Sequence, residues 1–346
     1  MSALPLTGKF GYGTMSLTWT HTPAPIEQAV ESMNYVTSHP EFGVKLLNGG
    51  AFYGKDYINL KYIKAFVDTL EPEAARELTV CIKGAVDLQT ILPIGTKESV
   101  DKSISDITSY FSSDPSKRPK ILFEIARVDP NVPYEETVSY IYEHVKSGKI
   151  DGISLSEVGP ASIAKATAVA PISCVEMEFS ILCQDLIDNG VLDELKKQNI
   201  PIVAYSPLCR GYLTDYCAEN PEEFFNNIKP GDIRMIIDKF SKENFPNNHA
   251  VVKKLYDYAH EVKGMTLESF SLSWIQTISE KKNYKGVDFV KILPIPSGST
   301  KEKIEKNLGS IVQLTDDDLE AVDKILKEQP VTGMRYNAHH AKYEFA

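Results

Sequence analysis

The sequence predicts an α/β protein, a closed (β/α)8 TIM barrel formed as one domain over residues 1–346, and three observations predict it. Eight short apolar runs recur along the 346 residues, helix-period segments separate them, and most runs end in polar residues that a barrel would gather on one rim. Strict alternation of strand and helix implies a parallel sheet covered by helices. Eight units suit a closed barrel better than an open sheet, although alternation by itself admits both.

The first strand is expected over residues 9–15 and contains Gly11-Tyr12-Gly13-Thr14-Met15. The second, 44–47, runs into Asn48-Gly49-Gly50-Ala51-Phe52-Tyr53-Gly54, and an amphipathic segment, 57–70, follows. That is strand, glycine turn, helix. Side chains on such a turn project at a strand's carboxyl end, where α/β barrels carry their chemistry. Tyr53 is therefore placed to donate a proton, and Gly49, Gly50 and Gly54 let the backbone turn sharply or approach a ligand. The third strand, 78–83, ends in Lys83, a charge that is costly to bury without a purpose. Near Tyr53 its cation would lower the phenol's pKa and ease proton donation.

The fourth strand, 120–125, is followed by Ala126-Arg127-Val128-Asp129, and the fifth, 150–155, by Ser156-Glu157. Glu176 and Glu178 lie within the sixth, 173–179. The seventh, 201–205, closes on Tyr205-Ser206-Pro207-Leu208, and residues 297–307 follow the eighth, 290–295. Between strands, residues 133–146 place Val138, Ile141, Tyr142 and Val145 on one helical face, with Gly148 as a stop. Two stretches break the rhythm. Residues 208–248 are polar, punctuated by Pro and Asn, and too long for an ordinary connection, so an extended loop is expected after the seventh strand. Residues 315–328 read as a capped C-terminal helix, and the tail 329–346, which lacks periodicity, either covers the barrel mouth or frays.

Composition narrows the function. A formal net charge of -10 opposes general affinity for nucleic acid or anionic membrane, and no apolar run approaches the length of a membrane span. No secretory leader is read in residues 1–9. The five cysteines show no Cys-x-x-Cys spacing and read as reduced thiols, so the expected location is the cytoplasm, with the nucleus left open. No metal site is expected, because His260-Glu261 has no second histidine four residues on. Gly298-Ser299-Thr300-Lys301 lacks the core of a phosphate loop, Gly152-x-Ser154-x-Ser156 lacks the last glycine of a nucleophile elbow, and Tyr57-x-x-x-Lys61 falls too early for a short-chain dehydrogenase pair.

The surviving residues resemble the aldo-keto reductases, barrels that move hydride between NADPH or NADH and a carbonyl. The resemblance runs from Gly11 to Asn307 with order and spacing kept. It implies that Tyr53 is the catalytic acid, with Lys83 and Asn48 beside it. It implies a cofactor set of Gly13, Thr14, Met15, Ser156, Glu176, Tyr205, Ser206, Leu208, Arg210, Ser297, Gly298, Ser299, Thr300, Lys303 and Asn307. Ser156 and Glu176 would hold the nicotinamide carboxamide, Tyr205 would stack on the ring, and Ser299, Thr300 and Lys303 would meet a 2′-phosphate at a helix start, favouring NADPH/NADP. Trp19, His21, Ala126 and Arg127 would line the pocket of a small-molecule aldehyde.

Departures from the family pattern point to a branch. Asn48 stands where relatives carry Asp, Ala126 where they carry His, Glu157 where Asn is commoner, and Glu176 where Gln is commoner. Without a carboxylate at position 48, Lys83 is expected to lose an opposite charge while desolvation presses its pKa down. Asn-Gly-Gly-x-Phe-Tyr-Gly with Ala-Arg-Val-Asp is similar to the fungal pyridoxal reductases, which implies reduction of pyridoxal to pyridoxine with NADPH. The half-altered tetrad also resembles a second use of this barrel, a cofactor-binding sensor or regulatory partner like the potassium-channel β subunits. Oligomeric state is open.

Overall fold

The computed structural model describes residues 2–281, 283–336 and 344–346. Its eight strands are β1 (Phe10–Gly13), β2 (Val44–Gly50), β3 (Thr79–Gly84), β4 (Lys120–Ile125), β5 (Gly152–Ser156), β6 (Cys174–Glu178), β7 (Ile202–Tyr205) and β8 (Ile292–Pro294). They pair in sequential order, every neighbour parallel. Helical connections bring each strand back beside its predecessor, as parallel pairing requires. The barrel nearly closes: the Gly13 N–H at the end of β1 donates to the Pro296 carbonyl just past β8, at 3.0 Å.

A period of two organises the interior. Leu46, Cys81, Leu122, Cys174, Val203 and Leu293 form one buried apolar cluster with Leu6 and Ile295. Two residues further along the same strands the sequence turns polar, giving Asn48, Lys83, Glu124, Glu176 and Tyr205. The apolar layer is thus the floor on which the polar side chains stand. Outside the sheet, helices bury apolar faces against it, as Ile26–Ser38 buries Ala29, Met33 and Val36. The helix Leu267–Glu280 is covered nearly all round and stacks Trp274 on Phe179 at 5.3 Å.

Three elements differ from the sequence expectation in instructive ways. β2 runs three residues past the expected end, because Asn48, Gly49 and Gly50 keep register with Cys81, Ile82 and Lys83 of β3. The turn proper is 51–54. The stretch 208–248 is an extended connection, yet it is ordered around an aromatic cluster: Tyr212 stacks on Phe240 at 4.3 Å and on Phe245 at 5.5 Å, with Phe224 alongside. Aromatics so far apart in sequence leave no periodic trace. The C-terminal helix, Asp316–Glu328, starts in a capping box between Thr315 and Asp318. Beyond it, Arg335 and Tyr336 lie over the carboxyl ends of the middle strands; residues 337–343 of the tail fall outside the described set. Among the described residues, no helix is long and apolar enough to cross a membrane, no acidic or His/Cys cluster has metal-binding geometry, and the cysteines are buried free thiols.

Candidate active site

Tyr53 leaves β2 on the 51–54 turn, which the Tyr53 N–H closes onto Gly50 O at 3.1 Å. Its ring lies flat over Gly50, where a Cβ would stand 2.8 Å from Cδ1, so the missing side chain is what seats the tyrosine. Gly54 then takes φ +97°, a backbone state that favours glycine and aims the chain into the next helix. Trp19 (5.4 Å) and Phe52 (5.2 Å) wall the ring, and Ala126 and Met15 pack in the same group. The methyl of Ala126 therefore does stand beside Tyr53. His21 is exposed on the loop after Trp19.

Lys83 reaches into the barrel and meets more acid than the sequence reading allowed. Its Nζ lies 2.6 Å from Glu176 Oε2, 3.0 Å from Glu124 Oε1 and 3.1 Å from Asn48 Oδ1. Asn48 Nδ2 donates to Glu176 Oε2 at 2.5 Å. Burial opposes the Lys83 cation, but Glu124 and Glu176 outweigh it and hold the ammonium well above its ordinary pKa. The expectation that desolvation presses Lys83 down is thus corrected: the carboxylate absent at position 48 is replaced twice over. Tyr53 moves the other way from expectation as well. Burial pushes its phenol up to about 12; the Lys83 charge pulls down, and those of Glu176 and Glu124 push up.

Glu124 was missed from the sequence, although the reasoning that flagged Lys83 applies to it. It is a charge inside an apolar strand, two residues before Ala126 and so on the same inward face. Its Oε2 accepts from the Cys81 thiol at 3.0 Å and the Ser154 hydroxyl at 3.1 Å.

Next to this cluster, Ser156 sits opposite Glu176 across the β5–β6 pair. Arg127 donates to Ser156 Oγ at 3.0 Å and to Ala126 O at 2.7 Å. Because Ser156 Oγ takes the guanidinium, its own proton is free to be given elsewhere. Tyr205 ends β7 with its hydroxyl 3.3 Å from that of Tyr336, and Arg210 lies 5.8 Å over its ring. Ser206, Cys209 and Arg210 all adopt left-handed φ, which folds the 206–211 backbone tightly under Arg210. Glu157 accepts from the Glu178 N–H at 3.1 Å and pairs with Arg335, whose Nε is 3.4 Å from Glu178. Burial raises the Glu157 carboxyl, but Arg335 and Arg127 more than reverse this and hold it below its ordinary range. Glu178, read in the sequence as a polar residue of the sixth strand, thus meets Arg335; Arg335 and Tyr336 are further residues the sequence did not mark, because an aperiodic tail gives no signal of where it docks.

At the far end, Thr300 caps the helix Lys301–Leu308, accepting from the Lys303 N–H. Lys303 Nζ lies 3.3 Å from Ser299 Oγ, whereas Lys301 is tied to Glu31 at 2.9 Å. Asn307 donates to Ser297 O at 3.0 Å, and Tyr12 to Gly298 O at 2.6 Å. Thr14 anchors the near side through Asn48 O at 2.8 Å. The segment 297–307, β1 and the 205–211 turn thus border one rim. Leu208 takes part through its carbonyl, which accepts from the N–H groups of Gly211 and Leu213.

These donors suit a nicotinamide dinucleotide. Arg210 Nε is buried with no partner among the described residues, a cationic donor available for a phosphate oxygen. A helix start with Lys303 suits a second anion, and Tyr205 offers a ring face at the strand ends.

The Aldo/keto reductase family model matches residues 9–327. A Schizosaccharomyces pombe protein named "Probable pyridoxal reductase 2" is 34% identical over 333 residues, 95% of each chain. A Saccharomyces cerevisiae relative whose name likewise carries pyridoxal reductase is 33% identical over 346 residues, 94% of this chain and 95% of that one. Among solved structures, the glycerol dehydrogenase of Gluconobacter oxydans superposes with TM-score 0.76 at 18% identity, covering 94% of this chain and 93% of its own, a likeness of fold. The chain belongs to the aldo/keto reductase family.

Proposed function

We propose that this protein reduces an aldehyde to an alcohol with NADPH, pyridoxal being the favoured substrate, and that Tyr53 is the general acid with Lys83 and Asn48 beside it. One observation carries the reading: a buried phenol stands at the rim with the Lys83 ammonium 5.7 Å from its ring centroid. A protein that only bound the cofactor would have no chemical use for that pairing. The reduced nicotinamide supplies the hydride. The chain must supply the rest. Tyr53 gives its proton to the carbonyl oxygen as negative charge develops there, and Lys83 stabilises the tyrosinate left behind. Ser156 donates to the carboxamide oxygen, Tyr205 provides a face for the ring, and Arg210, Lys303, Ser299 and Thr300 bind phosphate. The role of Glu176 at the carboxamide and those of Gly13, Thr14, Met15, Ser206, Leu208, Ser297, Gly298 and Asn307 along the cofactor belong to the same proposal.

Trp19, Ala126 and Arg127 form the substrate end, His21 lying further out. A methyl at Ala126 takes less space beside Tyr53 than the imidazole of relatives would, and one donor to the reacting oxygen is missing. Losing such a donor commonly costs about 100- to 1,000-fold in rate. Pyridoxal offers compensation, since its electron-poor ring activates the aldehyde. The relatives' names, the reduced thiols and the acidic surface are all compatible with such an enzyme working in the cytoplasm.

NADPH oxidation measured against a panel of aldehydes tests the proposal. Pyridoxal should show the highest kcat/KM, and Ala126→His should lose pyridoxal turnover by crowding while gaining on small aldehydes. Tight NADPH binding with no aldehyde reduced would replace this reading with that of a cofactor-binding regulatory protein.

A further inference from the structure

We propose that Glu176, sharing Lys83 with the Glu124 carboxylate, retains its proton at neutral pH, and that this retained proton keeps Tyr53 acidic enough to act as a donor; the second half rests on the function proposed above. The argument is a count of charge in a closed space. Lys83 Nζ lies 3.0 Å from Glu124 Oε1 and 2.6 Å from Glu176 Oε2. Glu124 is 0% exposed, Glu176 2% and Lys83 5%. One cation faces two carboxylates. Ionising both leaves a negative charge uncompensated inside the barrel, which desolvation and like-charge repulsion both oppose.

Among the described residues, the groups facing the pair from every side supply hydrogen bonds but no second cation at ion-pair distance. From β3 the Cys81 thiol donates to Glu124, from β5 the Ser154 hydroxyl does the same, and from β6 the Cys174 thiol reaches Ser154 at 3.3 Å. From β2 the Asn48 amide donates to Glu176. Tyr134, on the helix Tyr134–Lys146, is a buried phenol within the field of Glu124, and Arg127 is spent on Ala126 O and Ser156. Burial raises the Glu176 carboxyl, the Glu124 charge raises it further, and Lys83 only partly offsets them.

Two features follow from a retained proton. The cluster of Lys83 and its carboxyls is then neutral; stripped of the proton it would be negative, and that charge would oppose tyrosinate formation at Tyr53. Asn48 also finds its reason. An amide there gives Glu176 a donor, where an aspartate would add a third carboxylate to one lysine. Glu124 acts through Lys83 and Glu176, and is a positioning residue.

Infrared spectra of the cofactor-free protein, recorded across pH in H2O and D2O, test the first half. The native protein should show a protonated-carboxyl C=O stretch that shifts on deuteration and fades as pH rises. Native-minus-variant spectra should show this band missing from both Glu124→Gln and Glu176→Gln, each of which leaves one carboxylate for one lysine. Glu124→Asp should keep it. The second half is read from kcat against pH with NADPH and aldehyde. Where the native basic limb has halved kcat, Glu124→Gln should still be on its own plateau. A native spectrum lacking a band that Glu124→Gln removes overturns the retained proton. An identical limb in both proteins overturns its link to Tyr53. If no aldehyde is reduced, the proposed function falls while the spectra still decide the proton.

Discussion

The two ends of the site hold charge in opposite ways. At the proposed reacting end Lys83, Glu124, Glu176 and Asn48 come from four different strands and are all but closed to water. At the other end Ser299, Thr300 and Lys303 lie within five residues of one helix start, open to solvent. Buried charges interact strongly and must balance one another, whereas exposed ones are screened and act nearly alone. A substitution at the first end should therefore spread through the cluster, while one at the second should touch a single contact. That contrast is what the following changes probe.

The largest effect is expected at Tyr53. Tyr53→Phe removes the phenol beside Lys83 at the rim and should lower kcat by about 10²- to 10⁴-fold, the usual worth of a positioned general acid. NADPH binding, followed by fluorescence titration, should be nearly unchanged, because the phenol acts only as charge develops on the carbonyl. Comparable activity in the variant would move the acid to another group.

Asn48→Asp comes next, and it tests the balance directly. The new carboxylate would be the third facing Lys83, and it deletes the donor to Glu176. Leaving a buried charge uncompensated costs about 3 kcal/mol. Its pKa would be raised in the folded state, so the sign follows: the penalty is absent below the ordinary aspartate range, where folded and unfolded chains both hold the proton, grows as pH rises above that range, and is complete once pH passes the raised value. Denaturation midpoints of native and variant should nearly coincide at strongly acidic pH and diverge steadily as pH rises toward neutral. A constant difference across pH would mean that a third carboxylate is tolerated there.

How much of this was legible in the sequence follows from which signals are local. The barrel was readable because each βα unit carries its own periodicity, and Tyr53 and Lys83 were readable because each sits in a distinctive short motif. Glu124 was equally local, since Leu122, Glu124 and Ala126 alternate inward. It went unread because a single acid in Phe-Glu-Ile is unremarkable until Lys83 is known to lie across the β3–β4 pair from it. Register between strands is a tertiary fact. The docking of Arg335 between Glu157 and Glu178 was beyond reach for the same reason: 178 residues separate Arg335 from Glu157, partners that only the barrel brings together. The stretch 208–248 was recognised by its length, while its aromatic core was hidden by spacing.

At the exposed end, Lys303→Ala should weaken NADPH through one charge-assisted contact, worth about 1.5–3 kcal/mol or about 10- to 100-fold in Kd. NADH, lacking the 2′-phosphate, should lose little. The effect should shrink with added salt, as screening demands for an open site. Equal losses for both cofactors would remove Lys303 from the phosphate.

The smallest effect belongs away from the site, at the start of the C-terminal helix that precedes the docked tail. Thr315 Oγ1 accepts from the Asp318 N–H, and Asp318 accepts in return from the Thr315 N–H at 2.8 Å. Burial works against the Asp318 charge, but Lys263 at 2.8 Å, the Thr315 N–H and hydroxyl, and Tyr258 outweigh it and hold its carboxyl down to about 2. A depressed folded-state pKa gives stability that is present above the ordinary carboxylate range and lost as pH falls through the depressed value. Asp318→Asn should therefore be less stable than the native protein at neutral pH, with the gap narrowing as pH approaches about 2. Thr315→Ala removes only a neutral cap and should cost about 1 kcal/mol. Most of that loss should persist at every pH where the native protein stays folded, because no proton is gained or lost by a hydroxyl. Matching pH profiles for the two variants would mean that the carboxylate's charge contributes nothing beyond its geometry, and that this helix start behaves like the exposed end of the site rather than the buried one.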